Sequence, residues 1–220
     1  MRPRSLSEYV GQTDVVQGAL AALLRRGHVP SMVLWGPPGS GKTTLARLLT
    51  REAGGAFRFV EMSATVATVS DVKKAIDDAA HRQQLTGQQT VLFIDEIQRF
   101  NRAQQDIFLP ALERGHITLV AATTENPSFR LQGALLSRLR VVVLTKLSED
   151  ECYEVLRQAL ARVRADELDE SPFAWVDDAL LRWIARMADG DARASLHALE
   201  LAVACLLYTS PRPRDATLSR

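Results

Sequence analysis

Short apolar runs alternate with amphipathic stretches along the first 146 residues. The runs at Ser31 to Trp35, Phe57 to Met62, Thr90 to Ile94, Ile117 to Ala122 and Val141 to Leu144 have the length and composition of strands. Helical spacing fills the gaps between them. One helix starts at Lys42, behind a glycine-rich loop. Another runs from Asp71 to about Leu85, with Val72, Ile76 and Ala79-Ala80 on one face, and a third covers about Ala103 to Glu113. This alternation predicts an α/β fold with a five-stranded parallel sheet. The third and fifth runs, Val-Leu-Phe-Ile and Val-Val-Val-Leu, are unbroken, as expected for strands covered on both faces.

The pattern changes after Lys146. Ser148-Glu149-Asp150-Glu151 has capping-box spacing and opens a helix to about Val163. An acidic loop is expected from Arg164 to Pro172. Two further helical patterns follow, Asp177 to Ala188 and Ala192 to Leu207, with Asp189-Gly190 as the stop between them. Residues 1–146 therefore read as an α/β core and 147–207 as a small all-helical domain. Residues 208–220, starting Tyr208-Thr209-Ser210-Pro211-Arg212-Pro213, read as an unstructured tail that breaks the last helix. The tail resembles adaptor-derived sequence translated at the ends of assembled transcripts. The natural protein is expected to continue differently after about Cys205, which resequencing the transcript tests.

Composition narrows the class. The 220 residues are 46% hydrophobic and 24% charged, ordinary for a globular protein with one or two domains. No apolar run approaches the roughly 20 residues of a membrane span. Met1 to Glu8 has no apolar stretch behind its charges, so no secretory signal is read there and an intracellular, membrane-free protein is expected. Cys152 and Cys205 lie in helical patterns without metal-ligand spacing and read as reduced structural thiols. The chain carries +1; residues 208–220, with three Arg and one Asp, carry +2 of it, leaving −1 for the body. Bulk charge thus gives no sign of nucleic acid, and any such contact needs a local patch or a ring of subunits.

The chemistry begins at Gly36-Pro37-Pro38-Gly39-Ser40-Gly41-Lys42-Thr43, an ungapped match to the phosphate-binding loop, between a strand and a helix. Glycines let backbone N–H groups point into the loop, and the following helix turns its N-terminus to the anion. Lys42 supplies a mobile charge for the β- and γ-phosphates, and Thr44 follows within the same nucleotide-holding stretch. The Thr43 hydroxyl is placed to ligate Mg²⁺. Val91-Leu92-Phe93-Ile94-Asp95-Glu96 supplies the other half, two carboxylates at the C-terminal end of a strand, where ligands of open α/β sheets bind. Asp95 is expected to hold Mg²⁺ through water, and Glu96 to orient and polarise the attacking water.

Three further positions fit phosphoryl transfer: Thr123-Thr124 at a strand end, Ser137-Arg138 before the last strand, and Arg193 at the start of the last helix. Taken singly, each has a plain alternative: a strand end, a surface charge, a solvated first-turn residue. Together, and in this order, they resemble the AAA+ ATPases. Arg2-Pro3, Tyr9-Val10-Gly11-Gln12, Leu34 to Gly39, Phe93 to Asn101, Gln104-Gln105-Asp106, Ala122-Thr123-Thr124-Glu125-Asn126-Pro127-Ser128-Phe129 and Leu135 to Arg138 resemble one branch, the Werner helicase-interacting protein family with its bacterial relative replication-associated recombination protein A. The resemblance covers about residues 2 to 206. Leu139 departs from it, since a Cys often follows Ser-Arg there.

The resemblance implies an AAA+ core followed by a helical lid, with ATP and Mg²⁺ as cofactors. It implies that Tyr9, Val10 and their neighbours to Gln12 line the adenine pocket, that Thr124 reads the γ-phosphate, that Arg138 is a finger entering a neighbouring subunit's site, and that Arg193 is the lid's arginine sensor. It implies a DNA-repair motor in damage tolerance, acting as a homo-oligomer on forked, gapped or end-bearing DNA at stalled replication forks. Replication factors and RecQ-type helicases are the implied partners. A nuclear location is favoured for a eukaryotic source, cytoplasm or nucleoid for a bacterial one. It also implies a longer protein, because the branch carries an oligomerisation region and, in eukaryotes, a ubiquitin-binding zinc finger. Arg99, Asn101 and Arg25-Arg26 are the candidate DNA contacts. The competing readings are a clamp-loader-like or junction-migration AAA+ subunit, a small-molecule P-loop kinase and a non-hydrolysing ATP-bound scaffold.

Overall fold

Five parallel strands form one sheet: β1 (Met32–Trp35), β2 (Phe57–Ser63), β3 (Gln89–Asp95), β4 (Ile117–Thr123) and β5 (Arg140–Val143), in the order β2-β3-β4-β1-β5. The computed structural model describes residues 2–18, 20, 23, 26–54, 57–166 and 176–209. The chain divides into two units, Met1–Lys146 and Leu147–Arg220.

Side chains alternate across the sheet and feed two cores. Met32, Leu34, Val91, Phe93, Val120 and Ala122 pack with Leu45, Ala46 and Leu49 of α2 (Lys42–Glu52). Val33, Leu92, Ile94, Leu119 and Ala121 pack on the other face with Val72 and Ala79 of α3 (Val69–Thr86) and with Phe108. This two-sided burial explains the unbroken apolar run of β3. The same expectation fails for β5. Val141 and Val143 are 47% and 51% exposed, because β5 is an edge strand that turns Val142 toward the core and its alternate valines outward.

Besides α1 (Thr13–Gln17), the sheet's connections hold α4 (Arg102–Asp106), α5 (Phe108–Glu113), α6 (Pro127–Arg130) and α7 (Gly133–Leu136). The single helix expected from Ala103 to Glu113 is thus two. Pro110 has no N–H for the Asp106 carbonyl and its ring crowds that oxygen, so the helix breaks at Ile107. The buried Gln105 ties this region together. Its Nε2 donates to the Phe100 and Arg130 carbonyls (3.0 and 3.1 Å), and its Oε1 accepts from Gln132 N (2.9 Å).

The second unit holds α8 (Glu149–Asp166), α9 (Asp178–Met187) and α10 (Ala192–Thr209) around Leu156, Leu160, Leu181, Ile184 and Leu199. The helix expected to stop near Val163 continues to Asp166, since Arg164, Ala165 and Asp166 carry no helix-breaking backbone. The rest of the expected acidic loop, 167–172, lies outside the described residues. Tyr208 and Thr209 continue α10 instead of breaking it; proline, which cannot continue a helix, first occurs at 211. Residues 210–220 lie outside the described residues. Among those described, no helix is long and apolar enough to cross a membrane.

Candidate nucleotide-binding site

All five strands run the same way, so their C-terminal ends share one edge of the sheet. At that edge the chain leaves β1 at Trp35, and Gly36 N donates to the Thr123 carbonyl of β4 at 3.2 Å. Gly36 lies so close to β5 that a Cβ there would meet Leu144 O at 2.5 Å. The loop then folds on itself. The buried Ser40 donates its hydroxyl to Pro37 O (2.8 Å), and Tyr9 Oη donates to Ser40 O (3.3 Å). Gly41 has φ +91°, and a Cβ on it would strike the Tyr9 hydroxyl at 2.5 Å. The left-handed backbone favours glycine there, and any side chain would also displace the Tyr9 hydroxyl. Leu45 N donates to Gly41 O at 2.8 Å and starts α2, whose first turn carries Lys42, Thr43 and Thr44.

Lys42 is 8% exposed. Its ammonium donates to the carbonyls of Gly36 and Pro37, each at 2.8 Å. The charge thus spans the mouth of the loop that it closes, and these two carbonyls are neutral acceptors that phosphate oxygens outcompete.

β3 delivers Asp95 and Glu96 to the same edge. Asp95 lies opposite Ser63, its carbonyl accepts from Ala64 N (2.9 Å), and its Oδ1 accepts from Glu96 N (3.2 Å). Glu96 takes the left-handed backbone region (φ 54°, ψ 44°), which a non-glycine residue enters at about 1–3 kcal/mol. It opens a 3₁₀ turn over Ile97–Arg99, and Gln98 Nε2 donates to Glu96 Oε2.

The Thr-Thr pair divides its labour. Thr123 is buried and structural: its hydroxyl donates to Glu125 O (3.1 Å) and accepts from Glu125 N (3.0 Å). Thr124 lies one residue past β4 and is exposed. Asn126 then caps α6 by accepting from Ser128 N (3.0 Å). Arg138 donates to Ala134 O at 2.6 Å and pairs with the Glu113 carboxylate. Arg193 belongs to the second unit. There Asp191 Oδ1 accepts from Arg193 N (2.8 Å) and caps α10, while the arginine side chain is exposed.

The other expected residues meet these partners. Gln12 binds the Thr145 backbone from both ends of its amide. Asn101 forms a capping box with Gln104 through its side-chain oxygen and backbone N–H. Arg99 and Arg26 are exposed, and Arg25 lies outside the described residues. Gln98 and Glu113, which touch two of the expected site residues, were not singled out from the sequence. Each is an ordinary polar residue in a helical or turn segment, so pattern alone gives no reason to choose it.

A glycine cradle, a buried lysine at its mouth, a helix N-terminus behind it and a carboxylate pair on the next strand but one define a P-loop nucleotide-binding domain. Residues 1–147 match the family of the Holliday junction DNA helicase RuvB P-loop domain. The Coxiella burnetii protein named replication-associated recombination protein A is 45% identical over 203 residues, covering 91% of this chain and 44% of its own. The Dictyostelium discoideum protein named ATPase WRNIP1 is 40% identical over 205 residues, 92% of this chain and 23% of its own. Among solved structures, the Thermotoga maritima RuvB Holliday junction branch migration motor superposes with a TM-score of 0.67 at 30% identity, covering 89% of this chain and 63% of its own. The chain belongs to the AAA+ P-loop ATPases of the RuvB-like type, in the branch of replication-associated recombination protein A and WRNIP1. It spans less than half the length of these curated relatives.

Proposed function

We propose that the protein is an ATP-hydrolysing motor that acts on DNA at stalled or damaged replication forks. The observation that carries this reading is the phosphate loop and the Asp95-Glu96 pair on one edge of one parallel sheet. The relatives' names, replication-associated recombination among them, supply the DNA context.

The loop's N–H groups and the N-terminus of α2 hold the triphosphate, and Lys42 exchanges its two carbonyl acceptors for phosphate oxygens. Gly36 to Thr44 would embrace the nucleotide, with Tyr9 and Val10 at its base side. The donor set suits Mg²⁺: one hydroxyl, Thr43, would ligate it and one carboxylate, Asp95, would hold it through water, with the remaining positions left to water and phosphate. Bound there, Mg²⁺ would neutralise charge on the phosphates. Glu96 accepts a hydrogen bond from the attacking water and aligns it with the γ-phosphorus. Thr124, exposed past β4, is free to contact the γ-phosphate. Arg138, on the sheet's other flank, serves a neighbouring copy's site once it leaves Glu113. Arg193 belongs to the same proposal as the arginine sensor. The motor works as a homo-oligomer, in the nucleus of a eukaryotic cell or the cytoplasm or nucleoid of a bacterial one. Replication factors and RecQ-type helicases belong to the same proposal as partners.

The test is the ATP turnover rate with and without forked, gapped and single-stranded DNA over a salt series. Stimulation by DNA that fades steeply with salt is the expected result, because phosphate contacts release counterions. Turnover indifferent to every DNA form at low salt contradicts the DNA half of the proposal.

A further inference from the structure

We propose that Gln98 is a positioning residue for hydrolysis: its side-chain amide holds the Glu96 carboxylate in the orientation from which it polarises the attacking water. The inference rests on the reading of Glu96 given above.

Three observations carry it. Gln98 Nε2 donates to Glu96 Oε2, which leaves Glu96 Oε1 for the water. A carboxylate only accepts, so the amide must turn its NH₂ group to Glu96, and the amide oxygen goes elsewhere. That oxygen, Gln98 Oε1, is buried with no hydrogen-bond partner. An orphaned buried acceptor is destabilising to a fold. The contact with Glu96 is kept in spite of that penalty. The backbone adds a second strained feature at the same place. The left-handed turn at Glu96 begins the 3₁₀ turn, closed by Arg99 N donating to Glu96 O at 2.9 Å, and this turn brings position 98 back beside position 96. Two unfavourable local features meet at one carboxylate, the pattern expected where strain serves a site.

In the reaction the water oxygen bonds to the γ-phosphorus, and the bond to the bridging oxygen breaks with its electron pair leaving on ADP. One water proton passes toward Glu96 and the other stays on the product phosphate. Gln98 exchanges no proton. It fixes one carboxylate oxygen so that the other meets the water in line.

The experiment compares Gln98→Ala, Gln98→His and Glu96→Gln with the unaltered chain, measuring kcat for ATP and, separately, equilibrium affinity for a fluorescent ATP analogue. Gln98→Ala is expected to lower kcat about tenfold or more while affinity stays within about twofold, because orientation and not binding is lost. Gln98→His, which retains a ring N–H donor, is expected to recover most of kcat. A Gln98→Ala chain whose kcat is unchanged or raised overturns the inference, as does an affinity that falls in step with kcat. Failure of the parent reading looks different. It appears as unchanged turnover in Glu96→Gln, or as no turnover in the unaltered chain at any protein concentration, and either outcome removes the inference as well.

Discussion

Gln12 and Thr145 lie 133 positions apart and are joined by two hydrogen bonds: Gln12 Nε2 donates to Thr145 O at 2.7 Å, and Gln12 Oε1 accepts from Thr145 N at 3.1 Å. A glutamine side chain here extends the sheet's backbone pairing, tying the N-terminal segment to the chain just beyond β5. Gln12 is 8% exposed and sits at φ 55°. Replacing it with Ala removes both bonds and keeps the strained backbone, so Gln12→Ala is expected to destabilise the first unit by about 1–2 kcal/mol. Gln12→Gly loses the same bonds but relaxes the left-handed residue, and should unfold at higher urea than Gln12→Ala. Urea unfolding curves for the two variants check the order.

The two cysteines are chemically unlike. Cys152 is fully buried and burial pushes its thiol pKa up, while Cys205 is exposed. A disulfide-exchange reagent at pH 8 is expected to label one thiol fast, and Cys205→Ser should remove that phase. Cys152 should react only on unfolding. Because its folded pKa is raised, the stability it contributes is present below the ordinary thiol pKa and is lost as pH rises through the folded value. Cys152→Ser should therefore flatten the alkaline limb of the stability profile. Fast labelling of Cys152 in the native chain contradicts its placement.

Arg138 is held by Glu113 of its own chain. If its working partner is a neighbour's nucleotide, two defective chains should complement. Arg138→Ala and Lys42→Ala should each hydrolyse ATP at no more than about a tenth of the unaltered rate, the usual scale for loss of such a guanidinium or P-loop lysine. Mixed, they form interfaces with an intact loop on one side and an intact arginine on the other, and turnover should reappear. A mixture no faster than its components argues for a self-contained site. Glu113→Ala, which frees Arg138, is expected not to lower the rate.

Most of the sheet was legible in the sequence because strand runs bounded by glycine loops and helical spacing leave few alternatives. Every expected strand lies within a residue or so of its place. The loop from Gly36 to Thr43 was legible because its chemistry tolerates few residue types. What escaped was short or long-range. α6 and α7, four residues each, are too brief for periodicity. The break at Ile107 was written in Pro110 but hidden by the apolar spacing around it. Gln12 and Glu113 act through partners that only the fold brings near, and Gln98 meets Glu96 through a left-handed turn that a lone polar residue does not signal. The exposed valines of β5 depend on its place at the sheet edge, which composition does not encode.

ATP hydrolysis by this chain is expected to depend on the Glu96 carboxylate. Phosphate release by the unaltered chain and by Glu96→Gln, at ATP concentrations that give equal occupancy, tests it directly. Equal ATP binding with turnover reduced by about a hundredfold or more in Glu96→Gln is the expected result, in line with the loss of a positioned base. Undiminished turnover in Glu96→Gln at full occupancy would contradict it.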